Sequence, residues 1–302
     1  MTVLVAGGSG FIGSHLVRKL VETGEKVVVF DLIPNLEVIS DLINQVEVVK
    51  GDATQMVDIL HAIKQHDVKD IYHLIGLLGD VCQQKPLLAL KVNVETTLNF
   101  LEATRLLNLG KIIFASSVAV YDPNEPSPVG EDALTNPSSV YGAVKVLSEF
   151  YGLHYNKVFG VDFRALRFTT IYGLGKFLGS TAICSLLIEK AARGEPIKVD
   201  APDAVTDWLY IKDAVNSLVL ARKVPDPRHR VYNVGGNSYS VRQVIEITKK
   251  FIPEAKIEIK GKRTFPWPPS YDITRARDEL GYTPFFTIEK GIGDFISMVR
   301  KI

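Results

Sequence analysis

The sequence predicts an α/β fold, a doubly wound parallel sheet followed by a smaller C-terminal part, and three observations carry the prediction. Short β-branched and apolar runs alternate with helix-periodic segments between residues 2 and 168. The first run passes through a glycine-rich turn directly into a helix. Gly7, Asp31, Asp52, His73 and Ser117 all fall at or just beyond the ends of such runs, where right-handed crossovers place a binding crevice. Candidate strands occupy 2–6, 26–30, 46–50, 70–75, 111–116 and 161–168, and candidate helices 11–23, 55–65, 86–108 and 137–159. From about residue 173 the pattern loosens into Gly-rich turns, short helices and the run Phe265-Pro266-Trp267-Pro268-Pro269. Residues 1–172 are therefore expected to form one unit, to which the chain returns near 205–235, and residues 173–302 mainly a second, substrate-binding one.

The opening strand, 2–6, meets the turn Gly7-Gly8-Ser9-Gly10, and Phe11 onward has helical periodicity. Strand, glycine turn and helix in that order describe a dinucleotide site, with pyrophosphate resting on the N–H groups of the helix N-terminus. Gly7, Gly10, Phe11, Ile12 and Gly13 are its candidate residues. The second strand ends at Asp31, at the spacing where a carboxylate accepts hydrogen bonds from both hydroxyls of an adenosine ribose and repels a 2′-phosphate. No Arg or Lys occurs in Leu32-Ile33-Pro34-Asn35, so the expected cofactor is NAD and not NADP.

Ser117 closes the fifth strand, and Tyr141 and Lys145 stand four apart on the helix that follows. Residues four apart share a helix face, which brings the Lys145 ammonium within a few ångströms of the Tyr141 oxygen. A nearby positive charge favours phenolate over phenol, whose ordinary pKa is about 10. Ser117 can then hold a substrate oxygen while Tyr141 takes its proton and a hydride leaves the same carbon. His73, on an apolar strand, reads as packed and hydrogen-bonded, without chemistry.

Composition narrows the classes. The chain has 302 residues, 46% of them hydrophobic, enough to bury a large core. Its 35 basic and 34 acidic residues nearly cancel, which argues against a nucleic-acid partner. Cys82 and Cys184 lack metal-ligand spacing and read as thiols of a reducing compartment, so no metal is expected. With no signal-like N-terminus and no apolar run of about 18 residues, the expected location is the cytoplasm, away from membranes.

Gly51-Asp52, Tyr72-His73-Leu74, Val92-Asn93-Val94, Ala115 to Tyr121, Tyr141 to Lys145, Leu166-Arg167, Ile171-Tyr172-Gly173, Asp207-Trp208, Tyr232 to Gly235 and Asp272 to Ala276, together with the glycine loop, span nearly the whole chain. On these segments it resembles the extended short-chain dehydrogenases/reductases of the NAD-dependent epimerase/dehydratase family, which have a Rossmann fold. The resemblance implies that Asp52 and Ala53 lie near the adenine, that Leu74 and Asn93 belong to the cofactor site, and that Ser117, Tyr141 and Lys145 are catalytic. It also implies a homodimer through a four-helix bundle, with Leu90, Val94, Leu98 and Leu101 and Val144, Leu147, Phe150 and Tyr151 on the paired helices.

The family's breadth implies a nucleotide-sugar 4-epimerase resembling UDP-glucose 4-epimerases. Two departures weigh against it: Thr170 and Thr206 stand where nucleotide-sugar enzymes commonly carry Asn and Arg, and a Thr hydroxyl cannot replace an Arg on a diphosphate. Trp267 to Asp272 and Gly76-Leu77-Leu78-Gly79 are instead similar to short-chain L-threonine dehydrogenases. The alternative is therefore a net dehydrogenase of a free sugar, a sugar acid or an L-threonine-like amino acid. A third possibility is a non-catalytic dinucleotide-binding scaffold or sensor. Ser117, Thr170, Thr181, Thr206 and Arg263 are the candidate substrate contacts, Arg263 as a diphosphate partner.

Overall fold

The computed structural model describes residues 1–301. Its strands are β1 (Thr2–Ala6), β2 (Lys26–Asp31), β3 (Glu47–Lys50), β4 (Asp70–His73), β5 (Lys111–Ser117), β6 (Asp162–Phe168), β7 (Thr170–Tyr172), β8 (Ile197–Val199), β9 (Val205–Tyr210), β10 (Val231–Val234), β11 (Asn237–Ser240) and β12 (Ile257–Ile259). The helices are α1 (Phe11–Glu22), α2 (Met56–Gln65), α3 (Gly79–Gln84), α4 (Pro86–Ala89), α5 (Thr96–Leu106), α6 (Val140–Phe159), α7 (Ile183–Ala192), α8 (Ile211–Lys223), α9 (Val241–Phe251), α10 (Thr274–Leu280) and α11 (Ile288–Val299). Seven strands make one sheet in the order β3-β2-β1-β4-β5-β6-β10, parallel throughout. This is the doubly wound architecture, and the order reverses between β1 and β4, where such sheets open a crevice.

Alternation along the strands assigns the two faces. Val3, Val5, Val27 and Val29 join Leu16, Val17 and Leu20 of α1 and Ala214 and Leu218 of α8 in one core cluster. Leu4, Ala6, Val28 and Phe30 point the other way, onto Ile59 and Ile63 of α2 and Phe100 and Leu101 of α5. The first cluster continues into the C-terminal part through Trp208, Tyr210, Val244 and Phe295, so both parts share one core. Asp207 fastens them: its Oδ1 accepts from Gly236 N at 2.7 Å and from the Thr169 hydroxyl at 3.0 Å, and burial raises its pKa to about 6.

Two local features depart from the expected pattern. The helix expected over 86–108 is α4, a π-helical turn over Leu90–Glu95, and α5. Thr96 and Thr97 turn their hydroxyls back onto the carbonyls of Val92 and Asn93 at 2.6 and 2.7 Å, which stabilises the widened turn. α3 lies in a segment with no predicted element, its six residues being too few to show a period. His73 is packed between Phe100 and Phe114 with its Nε2 2.9 Å from the Thr97 hydroxyl, and burial lowers its pKa to about 3.

Candidate active site

The glycine turn brings the N-terminus of α1 against the ends of β1 and β2. Gly7 N donates to the Phe30 carbonyl at 2.9 Å, and Gly10 N to the Gly7 carbonyl at 3.1 Å. A Cβ at Gly13 would overlap that Gly7 carbonyl oxygen, so only glycine allows the helix so close an approach. No acidic residue occupies the first turn of α1, where Phe11 and Ile12 stand, leaving its positive end open to an anion. Asp31 Oδ2 accepts from Ser9 N and from the Ser9 hydroxyl, both at 2.7 Å. Burial raises the Asp31 pKa against the effect of these two bonds, and Oδ1 has no partner among the described residues. Ser9 was not singled out in the sequence; its position inside the glycine turn, facing the end of β2, was the available signal.

Asp52 and Ala53 lie beyond β3. Asp52 accepts from Thr54 N at 2.8 Å, forming a turn, while the Ala53 carbonyl accepts from Asn99 Nδ2 at 2.9 Å. Leu74 N donates to the Ala6 carbonyl at 2.9 Å just past β4. Along the sheet order, Asp52, Asp31 and the glycine turn stand on one side and Leu74, Asn93, Ser117, Tyr141 and Lys145 on the other. Asp31, the N-terminus of α1 and Lys145 are the groups along this line that would hold an extended dinucleotide.

At that second end, α6 starts at Ser139, whose hydroxyl accepts from Gly142 N at 3.1 Å. This cap sets the register that turns Tyr141 and Lys145 toward Ser117. Ser117 itself caps a short 3₁₀ turn, its Oγ accepting from Ala119 N at 3.2 Å. The Lys145 ammonium is buried, donates to the Ala115 carbonyl at 2.7 Å and lies 5.7 Å from the centre of the Tyr141 ring. Burial lowers its pKa to about 8. For Tyr141 the expected lowering is not found: burial pushes the phenol up to about 12, and the Ser117 hydroxyl offsets only part of the rise. Spacing along the helix shows the charge four residues away but not the desolvation of a ring packed against the cluster of Cys82 and Val144.

Asn93, in the π turn, donates from Nδ2 to Cys82 Sγ at 3.4 Å, while its buried Oδ1 has no partner among the described residues. A Cβ on Gly76 would lie 2.6 Å from that Oδ1 and 3.5 Å from Lys145 Nζ, so the glycine keeps open a polar cradle between them. An unpartnered buried acceptor beside a desolvated ammonium fits a polar cofactor group.

The candidate substrate residues are not brought together as expected. Thr170 and Thr206 share a hydrogen bond at 2.8 Å, both are buried, and Trp267 Nε1 donates to Thr206 Oγ1 at 2.9 Å. Trp267 in turn stacks on Phe265, ring centres 4.8 Å apart. Arg263 pairs with Asp200, at 3.1 and 3.3 Å, on an exposed face. Thr181 accepts from Lys176 Nζ at 2.7 Å; Lys176 was missed because a lone Lys in a glycine-rich loop reads as a solvated charge.

A parallel sheet with a glycine-bounded crevice at its switch point, an acid at the second strand end and a Ser, Tyr and Lys set beside the fourth and fifth define an NAD-dependent enzyme with a Rossmann fold. The model of the NAD dependent epimerase/dehydratase family matches residues 3–235, and the chain belongs to that family. A putative UDP-glucose 4-epimerase of Methanocaldococcus jannaschii is 28% identical over 99% of this chain and 98% of its own. The UDP-glucose 4-epimerase of Thermotoga maritima, solved with UDP-glucose, superposes with a TM-score of 0.90 at 26% identity, covering 100% of this chain and 99% of its own. An L-threonine dehydrogenase from Clostridium difficile gives 0.88, also at 26%, over 99% and 98%.

The Asp31→Ala variant is expected to weaken NAD binding by roughly tenfold and to narrow the preference over NADP. Calorimetric titration of both cofactors checks it. Equal affinities in the unmutated protein would remove the ribose role from Asp31.

Proposed function

We propose that this chain oxidises the secondary alcohol of a small substrate carrying no nucleotide, releasing NADH. The observation that carries the choice of substrate class is the Thr170–Thr206–Trp267 string. At the positions where nucleotide-sugar enzymes commonly carry Asn and Arg, it sets two buried hydroxyls satisfied by each other and by the indole, with no positive group among them for a diphosphate. Ser117 holds the substrate oxygen and Tyr141 accepts its proton, as the Ser117 hydroxyl close to the phenol supports. Lys145, protonated below about pH 8, supplies positive charge to the phenol and hydrogen bonds to the cofactor ribose. NAD, when bound, accepts the hydride.

The second reading is a nucleotide-sugar 4-epimerase, favoured by the names of the relatives that match along the whole chain. A panel of L-threonine, D-gluconate, free sugars and UDP-glucose, followed for NADH release and for epimer formation, separates the two. NADH release with a small alcohol and no inhibition by millimolar UDP is the expected result. Conversion of UDP-glucose to its 4-epimer without NADH release would overturn it.

The partition follows the same logic: residues 1–172 with β10 hold the cofactor, and 173–302 mainly shape the substrate side. The pairing into a dimer is also proposed, on a reduced set of residues. Val94, Leu101 and Val144 are buried within the chain itself, whereas Leu87, Leu90, Phe150 and Leu153 are exposed on α4, the π turn and α6, which lie side by side. The two free, buried thiols suit the cytoplasm. Among the described residues no helix is long and apolar enough to cross a membrane.

A further inference from the structure

We propose that Lys176 is an oxyanion anchor of the reaction cleft, holding a carboxylate or phosphate oxygen of the molecule bound there. For a small substrate that oxyanion is a carboxylate, an assignment resting on the reading above and narrowing it to hydroxy acids and hydroxy amino acids. Three observations carry the proposal. The first is charge without a counter-charge. The buried guanidinium groups of Arg164, Arg167 and Arg222 each face a carboxylate at 2.7 Å, whereas Lys176 faces none among the described residues. Its ammonium donates instead to the Ile171 carbonyl at 2.6 Å and to Thr181 Oγ1 at 2.7 Å, which leaves one N–H uncommitted. Burial lowers its pKa to about 8, so an arriving anion would recover charge stabilisation that the protein does not supply.

The second is position. The loop after β7 runs from the start of α1 to the turn beside Lys145. The Leu174 carbonyl is held by His15 at 3.0 Å, and a Cβ on Gly175 would lie 3.8 Å from the Phe11 ring. A Cβ on Gly179 would lie 3.2 Å from Leu78, two residues beyond Gly76. Lys176 therefore stands on the segment that runs from the N-terminus of α1 to the turn beside Lys145. The third is the state of the alternatives. Arg263 pairs with Asp200 on an exposed face, and the buried Thr206 hydroxyl is already held by Thr170 and Trp267, whereas the third N–H of Lys176 has no partner among the described residues.

The test uses Lys176→Gln, which keeps N–H donors for the Ile171 carbonyl and Thr181 while removing the charge, together with Lys176→Met. Calorimetry measures NAD on each protein, and then D-gluconate, L-threonine and UDP on the NAD-saturated proteins, with the thermal midpoint as a check on folding. Binding of the hydroxy acid or hydroxy amino acid is expected to weaken by roughly ten- to a hundredfold, with NAD and UDP titrations unchanged, since a charge-assisted hydrogen bond is lost. A loss confined to NAD keeps the anchor and assigns the oxyanion to the cofactor diphosphate. A loss confined to UDP keeps the anchor and defeats the small-substrate reading. If small-substrate turnover stands but a folded Lys176→Gln matches the parent chain in every titration, absent binding included, the anchor is overturned and the function is not.

Discussion

The Tyr141→Phe variant is expected to lose roughly 10²–10⁴-fold in turnover while binding NAD as the parent chain does. The ring keeps its place against Cys82 and Val144, so folding should not change; only the oxygen facing Ser117 is removed. In the structure burial dominates at this phenol and holds it protonated, and Lys145 donates to the Ala115 carbonyl. Proton acceptance therefore depends on positive charge gathering at the phenol once substrate and cofactor are in place. Steady-state turnover paired with a calorimetric NAD titration checks both halves. Near-normal turnover would mean that another base accepts the proton.

Arg167→Met is expected to destabilise the fold by about 3–5 kcal/mol, the cost of stranding a buried charge. Arg167 donates to both oxygens of Glu149, at 2.7 to 3.2 Å, to the Tyr121 hydroxyl at 2.8 Å and to the Glu131 carbonyl at 3.1 Å. Glu149 also accepts from the Ser116 hydroxyl, and it sits one helical turn beyond Lys145. Without the guanidinium that carboxylate remains in the core with the Ser116 hydroxyl as its hydrogen-bond partner and the Lys145 ammonium as the nearby charge. The double variant Arg167→Met with Glu149→Gln should recover part of the loss, because no ion is left unpaired. Urea midpoints of the three proteins decide the matter; an unchanged midpoint in the single variant would show that the pair has no net effect.

Much of the fold was legible because its signals are local. The strands over 2–6, 26–31, 70–73, 111–117 and 162–168 announce themselves as short apolar runs, since a strand buried on both faces needs nothing else, while the edge strand at 47–50 shows only its Val48-Val49 pair. The glycine turn and Asp31 follow from spacing alone, because Gly13 meets Gly7 across only a few residues. The π turn at Leu90–Glu95 was not legible: it differs from a helix by one hydrogen-bond register, and no residue type demands it. Val94, Leu101 and Val144, named for the dimer face through the family resemblance, are buried in the core beneath their own helices.

The α/β class, the glycine turn opening the first helix and the NAD cofactor were legible in the residues themselves, and Ser117, Tyr141 and Lys145 were named there as catalytic candidates. The first strand, its glycine turn and its helix are contiguous, and Tyr141 and Lys145 share one helix, so spacing and geometry are nearly the same thing there; Asp31 joins Ser9, and Ser117 joins Tyr141, only through the sheet. The electrostatics and the surroundings of the candidate substrate residues came from the tertiary structure alone. Desolvation of Tyr141 and Lys145 depends on how the rest of the chain packs around them. The Thr170–Thr206–Trp267 string and the Arg263–Asp200 pair join residues 36 to 63 positions apart, separations at which sequence spacing carries no distance information.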